Sequence, residues 1–170
     1  MAGKQMDIKG PILADTLYCD GWLAGRDVEF TLPDITFKTA EIQAMGTMVT
    51  PLIGLVENME LTITRVGVDS GYGDLNELDR HSLEFRWVQV SIGKDGTTKT
   101  EGCKAYIRTM PSAIPGFSVK PGDAISTSHK YNVTRMQIYV GGREKILIDR
   151  LSNILRVNGT DYSKSIENLL

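Results

Sequence analysis

The sequence predicts a mainly β fold: an antiparallel sandwich or barrel with one or two short helices. Three observations carry this. Runs that alternate apolar and polar residues recur along the chain, which is the period of half-buried strands. The pairs Asp20-Gly21, Asp95-Gly96, Gly141-Gly142 and Asn158-Gly159 separate such runs. They suit hairpin turns because both positions tolerate positive φ. The runs also cluster instead of alternating with helical patterns, which excludes a doubly wound sheet.

The elements follow in order. Residues 1–15 mix Gly3, Gly10 and Pro11 with charges and show no period. They read as an N-terminal arm, either frayed or ordered against a neighbouring subunit. Residues 16–24 fit a hairpin around Asp20-Gly21, and Val28, Phe30 and Leu32 mark a second strand that Pro33 ends. A third strand spans Ile35–Gln43, with a phase shift near Ala40 that a bulge would produce. Residues 44–57 hold Gly46, Pro51 and Gly54, so neither regular strand nor helix is expected there. They also hold Met45, Met48, Val49, Leu52, Ile53 and Leu55. A loop this apolar either folds onto its own core or docks on another chain.

Residues 57–66 alternate cleanly. Met59, Leu61 and Ile63 make one face; Asn58, Glu60, Thr62 and Thr64 make the other. Asp74 and Glu77 have capping-box spacing, so a helix of two turns is expected from Leu75, with Leu75 and Leu78 inward. In Leu83–Ile92 the apolar parity changes after Trp87, which suggests a bulge. A turn at 94–97 leads to a return strand near Lys99–Met110, with Cys103, Ala105 and Ile107 on one face. Residues 111–128 form a long connection or a broken edge strand. Tyr131–Val140 and Glu144–Asp149 flank Gly141-Gly142. Leu151, Ile154 and Leu155 fit a helix or an irregular strand. Ser163 opens a last short helix, with Ile166, Leu169 and Leu170 on one side. The total is seven to nine strands.

The 170 residues suit a single domain over 1–170, large enough for its own core. With 19 basic and 21 acidic residues, the net charge is −2. That balance argues against a nucleic-acid binder and gives no reason to expect membrane binding. Asp7 and Lys9 stand where a cleaved leader needs its apolar core. Cys19 and Cys103 are the only cysteines and are expected as two free thiols. Two glycosylation patterns, at Asn132 and Asn158, read as chance without a leader.

No constellation points to catalysis, a cofactor or a metal. His81 and His129 are the only histidines, and no further ligands stand at a zinc-like spacing, so both read as structural. Ser70 is misplaced for a nucleophile elbow. Gly71-Tyr72-Gly73 lacks the rest of a dinucleotide loop. Asp69, Asp74, Glu77 and Asp79 lack the order of a calcium loop. Lys104, Tyr106 and Arg108 share a strand face. They keep open an alternative function, a small β-barrel binding module for nucleic acid or saccharide.

Leu17–Ile35, with Gly21, Gly25 and Leu32-Pro33, resembles the opening of the major tail tube family of contractile-tailed phages and phage-tail-like bacteriocins. Residues 46–64 are similar to that family's apolar, Gly-containing loop and the alternating strand after it. The best match is C-terminal: the strand at Tyr131–Tyr139, the Gly turn, a short strand ending in Ile148-Asp149, then Val157-Asn158-Gly159 and Asp161. Residues 67–128 depart most. The resemblance implies a structural, non-enzymatic subunit that completes a hexameric ring β-barrel. Rings would stack into a tube inside a sheath, around a lumen that conducts DNA or ions. It implies self-association, a sheath protein, a baseplate or tube initiator, and a tape measure protein in the lumen during assembly. DNA would pass without specific binding. The implied location is the tail of a virion or bacteriocin, after assembly in the bacterial cytoplasm. On this basis Met45, Met48, Val49, Leu52, Ile53 and Leu55 are expected to make inter-subunit contacts. Asn58, Glu60, Thr62 and Thr64 are expected to line the lumen, with polar faces near 34–43 and 83–108 contributing.

Overall fold

The turn pairs do close hairpins. In the computed structural model, which describes residues 7–170, β1 (Ile8–Cys19) turns at Asp20-Gly21 into β2 (Trp22–Arg26). Asp20 has φ 50° and Gly21 φ 88°, the conformation that selected this pair. Next come β3 (Glu29–Thr31), β4 (Phe37–Gln43), β5 (Thr47–Val56) and β6 (Glu60–Val66), then helix α1 (Ser70–Asn76). Then β7 (His81–Ile92), β8 (Thr98–Pro111), β9 (Ser126–Val140), β10 (Arg143–Asp149), β11 (Ile154–Val157) and β12 (Thr160–Asp161) precede helix α2 (Lys164–Glu167). All strand pairs are antiparallel.

β9 organises the sheet. One of its edges pairs with β8. Its other edge pairs with β6 over its first half and with β10 over its second. A register shift opposite Arg108/Thr109 marks the change. Up to that point His129, Tyr131 and Val133 are buried; beyond it Met136 is buried and Ile138 packs on the core. One extra residue therefore keeps the apolar set inward as the strand bends between layers. Ten strands join in this way, in the order β12-β11-β10-β9-β8-β7-β1-β2 with β6 and β3 branching from β9.

The two layers face each other across one core. Leu17, Phe85, Ala105 and Ile107 come from the β1/β7/β8 layer; Met59, Leu61 and Ile63 come from the β6 strand and the residue before it. Phe30 of β3 and Phe85 of β7 are not sheet neighbours, yet their ring centroids lie 4.2 Å apart. That contact is across the sandwich. Leu75 of α1 closes one end, and Ile148 and Leu155 extend the core under β10 and β11.

Several expectations need correction. Residues 44–57 are not an irregular loop: most of them form β5, paired with β4 as a separate two-stranded sheet. Each strand there has a free edge, where Pro51 does no harm. Between the pairs Phe37↔Val56 and Thr39↔Pro51 the register shifts, so the bulge expected near Ala40 falls slightly earlier. The helix expected to start at Leu75 instead ends at Asn76. The first turn packs tightly: Gly71 lies against the Ala24 carbonyl, where a Cβ would come within 2.8 Å. Leu75 is buried as expected, but Leu78 is exposed. β7 pairs with β8 without interruption from His81 to Ile92; the register shifts lie in β1 on its other side. Residues 8–15, expected within an arm, pair with β7 as part of β1, and Lys9 reaches Glu101 of β8 at 2.8 Å. Residues 1–6 of that arm lie outside the described residues. Residues 154–157 take the strand alternative. Ser163 precedes α2, but its hydroxyl bonds Asp161 rather than capping the helix, and Ile166, Leu169 and Leu170 are exposed.

Candidate assembly surfaces

The β4–β5 hairpin projects from the sandwich. Its base is fixed: Phe37 and Val56 pack on the core, and Arg150 donates to the Val56 carbonyl at 3.1 Å. Gly54 lies against Ile166 of α2, where a Cβ would meet Cδ1 at 3.0 Å. Beyond the base, support ends. Met45, Met48, Val49, Leu52, Ile53 and Leu55 are all exposed, together with Ile42 of the facing strand. Met45 sits at the tip with φ 49°, beside Gly46 at φ 111°. A lone two-stranded hairpin is marginal in water. Exposed apolar surface of this kind is suited to contact with another surface, to which Met side chains adapt.

A second surface is the outward face of β6. Leu61 and Ile63 point into the core, so Asn58, Glu60, Thr62 and Thr64 point away from it. Register adds Ser128, Lys130 and Asn132 from β9, with Glu29 and Thr31 from β3. Asn58 donates to Asn132 at 3.1 Å, Thr64 and Ser128 hydroxyls lie 3.0 Å apart, and Lys130 is 3.9 Å from Glu60. This face is uncharged apart from Glu29, Glu60 and Lys130, and it carries no basic excess.

The third surface is the outward face of β7, β8 and the end of β9. It forms a concavity of about 980 Å³ whose lining includes Glu84, Arg86, Lys104, Tyr106, Arg135 and Tyr139. Tyr106 and Tyr139 meet edge to face at 5.8 Å, and Arg86 lies over the Tyr18 ring at 4.7 Å. The expected Lys104, Tyr106 and Arg108 face is therefore real. Two of its basic residues are matched, Arg86 with Glu84 and Arg135 with Asp149, and Arg156 on the neighbouring strand pairs with Glu144. Lys104 and Arg108 stand without an ion pair among the described residues. A face rich in Tyr and Arg, with part of its charge paired, suits a protein partner.

Polar groups inside the sandwich are few and mostly structural. His129 is buried between Asn76 Oδ1 at 3.1 Å and Thr127 Oγ1 at 3.3 Å. Burial, with Arg65 nearby, lowers its pKa to about 4. Arg65 is buried and forms a fork on Asp69 at 3.0 and 3.2 Å, which holds that carboxyl below its usual range. Cys19 and Cys103 are both free and buried. Burial, reinforced by Asp20, pushes the Cys19 thiol up to about 12. Cys19, Asp20 and His81 meet at one point. Linear spacing could not reveal this, since 61 residues separate Asp20 from His81. The pairing of Cys19 with Leu83 brings them together.

The family model described as phage tail tube protein FII matches residues 12–170. No curated protein matches the chain. Two chains in cryo-electron microscopy structures of an extracellular contractile injection system share the fold. One belongs to the PVC sheath-tube complex in the extended state, with TM-score 0.51 at 13% identity, covering 76% of this chain and 90% of that one. The other belongs to the PVC sheath/tube terminator in the extended state, with TM-score 0.50 at 13% identity, covering 81% of this chain and 99% of that one.

Proposed function

The chain belongs to the phage tail tube protein FII family and is a structural tail-tube subunit; from that premise we propose that it forms six-membered rings stacked inside a contractile sheath. The observation that carries this is the β4–β5 hairpin. It presents Met45, Met48, Val49, Leu52, Ile53 and Leu55 to solvent although a lone hairpin cannot support itself. A neighbouring subunit, in the same ring or the next, covers it. Open edges at β2 and β12 are closed by the same association.

The β6 face, with Asn58, Glu60, Thr62 and Thr64, lines the lumen in this reading. A wall of hydroxyls and amides with little positive charge lets DNA or ions pass without phosphate contacts that would retain them. The Tyr/Arg face of β7–β9 is left for protein contacts, with sheath or neighbour. The initiator at the baseplate and a tape measure protein in the lumen complete the set of partners during assembly in the bacterial cytoplasm. The role is structural and involves no catalytic step.

Electron microscopy of the purified full chain tests the proposal. Tubes or ring stacks are expected at high concentration or after seeding with an initiator. Small globular particles alone, with the N-terminus intact and an initiator present, would sink it.

A further inference from the structure

Three metal-ligating side chains converge where the β1–β2 turn crosses the start of β7. His81 sets the logic. Its Nε2 lies 2.7 Å from the carbonyl oxygen of Glu77. A carbonyl only accepts, so Nε2 carries a hydrogen, and a ring with no second hydrogen presents a lone pair at Nδ1. That lone pair faces Asp20 Oδ2, another acceptor, at 3.0 Å. Two acceptors at this distance need a cation. A proton would serve these two atoms, with the Cys19 thiol donating to Asp20 Oδ2 at 3.7 Å and its sulfur 3.5 Å from Nδ1. A divalent ion would use all three.

The spacing is close to that of a zinc site. Bonds of about 2.3 Å to sulfur and about 2.0–2.2 Å to nitrogen and oxygen give tetrahedral edges of roughly 3.3–3.6 Å. Of the three edges here, the 3.5 Å Cys19–His81 edge falls in that range, the 3.7 Å Cys19–Asp20 edge lies slightly beyond it, and the 3.0 Å His81–Asp20 edge would lengthen on binding. The His81 ring is fixed through its other nitrogen by a backbone carbonyl, the outer-shell support that zinc-binding histidines have. Asp20 is fixed too, since its Oδ1 accepts from the Ser82 amide at 2.9 Å. Cys19 and His81 are buried while the Asp20 side chain is 48% exposed. The fourth position therefore opens toward solvent and can take water. A thiolate with an imidazole selects zinc over magnesium or calcium.

We propose that Cys19, Asp20 and His81 form a zinc site that ties the β1–β2 turn to β7. The test is titration of the chelator-treated full chain with Co²⁺ and Zn²⁺. Co²⁺ is expected to give a one-to-one sulfur-to-metal charge-transfer band, displaced by Zn²⁺. The band should persist in Cys103→Ser and vanish in Cys19→Ser. Asp20→Asn keeps the turn, since Asn tolerates positive φ, and keeps the Oδ1 acceptor. It should remain folded by circular dichroism yet bind zinc at least about 10-fold more weakly. The proposal is overturned if the folded chain gives no charge-transfer band, or if the band survives in Cys19→Ser. Equal zinc affinity in Asp20→Asn and the parent would also overturn it, and that arm decides the matter should Cys19→Ser fail to fold.

Discussion

The hydroxyl of Tyr131, on β9, donates to the carbonyl oxygen of Leu75 in the last turn of α1. Both residues are buried. A seven-residue helix has no stability of its own, so this bond and the burial of Leu75 place α1 on the sandwich. Tyr131→Phe would keep the ring and strip the donor, leaving a buried carbonyl unpaired. The expected loss is about 1–3 kcal/mol, read as a lower urea midpoint at unchanged slope. An unchanged midpoint would mean that α1 is positioned by packing alone.

His129 makes stability depend on pH. Its folded pKa of about 4 lies below the ordinary imidazole value, because burial disfavours the cation. Between those values the unfolded chain binds more protons than the folded one, so stability rises with pH. The contribution is complete above the unfolded pKa and is lost as pH falls toward about 4. It amounts to roughly 3 kcal/mol. Asp69, held down by Arg65, adds a further loss at lower pH as its own folded pKa is crossed. Urea midpoints taken from pH 7 to pH 4 should fall, and His129→Leu should flatten that fall. An identical pH profile in the variant would refute the assignment.

Two glycines separate backbone strain from packing. Gly142 has φ 78° and open space where a Cβ would stand, so Gly142→Val costs only its conformation, about 1–2 kcal/mol. Gly142→Asn should recover most of this, since Asn tolerates that region. Gly71 has an ordinary φ, but an added Cβ would sit 2.8 Å from the Ala24 carbonyl and 2.9 Å from Arg65 Nη2. Gly71→Ala should cost about 1–3 kcal/mol through overpacking. Thermal melts of the three variants check the ordering. A Gly142→Asn chain no more stable than Gly142→Val would count against a turn origin.

How far the sequence reveals this follows from what kind of signal each element carries. β6 was legible because Met59, Leu61 and Ile63 alternate against a polar face, and burial on one side alone produces that pattern. The turns at Asp20-Gly21 and Asn158-Gly159 were legible because positive φ restricts residue choice locally. β5 is not, because both its faces are largely exposed in the subunit, so burial imposes no alternation. α1 starts earlier than the capping pattern at Asp74 suggests, and its first turn makes a contact distant in sequence, Gly71 against Ala24, that no local pattern reports. Composition singles out the six apolar residues of the hairpin but leaves open whether they pack on the core or dock on another chain; all are exposed in the subunit. The Cys19–Asp20–His81 cluster depends on strand pairing and leaves no mark in linear spacing.

The hairpin also separates folding from assembly. Val49 and Ile53 lie on β5 beyond the base that packs on the core, and each is more than half exposed. Val49→Glu and Ile53→Glu should therefore leave the isolated subunit within about 0.5 kcal/mol of the parent. In an assembled tube the same carboxylates would be buried without partners, which several kcal/mol of desolvation opposes at every subunit. The expected outcome is a folded subunit with an unchanged melt and no tubes by sedimentation or electron microscopy. Phe37→Glu, at the base, is the contrasting case: its side chain packs on the core, so it should lower the melt itself. Tubes formed in normal yield by both Val49→Glu and Ile53→Glu would remove the hairpin from the interface. A melt lowered as far as in Phe37→Glu would show instead that the hairpin folds back onto its own sandwich.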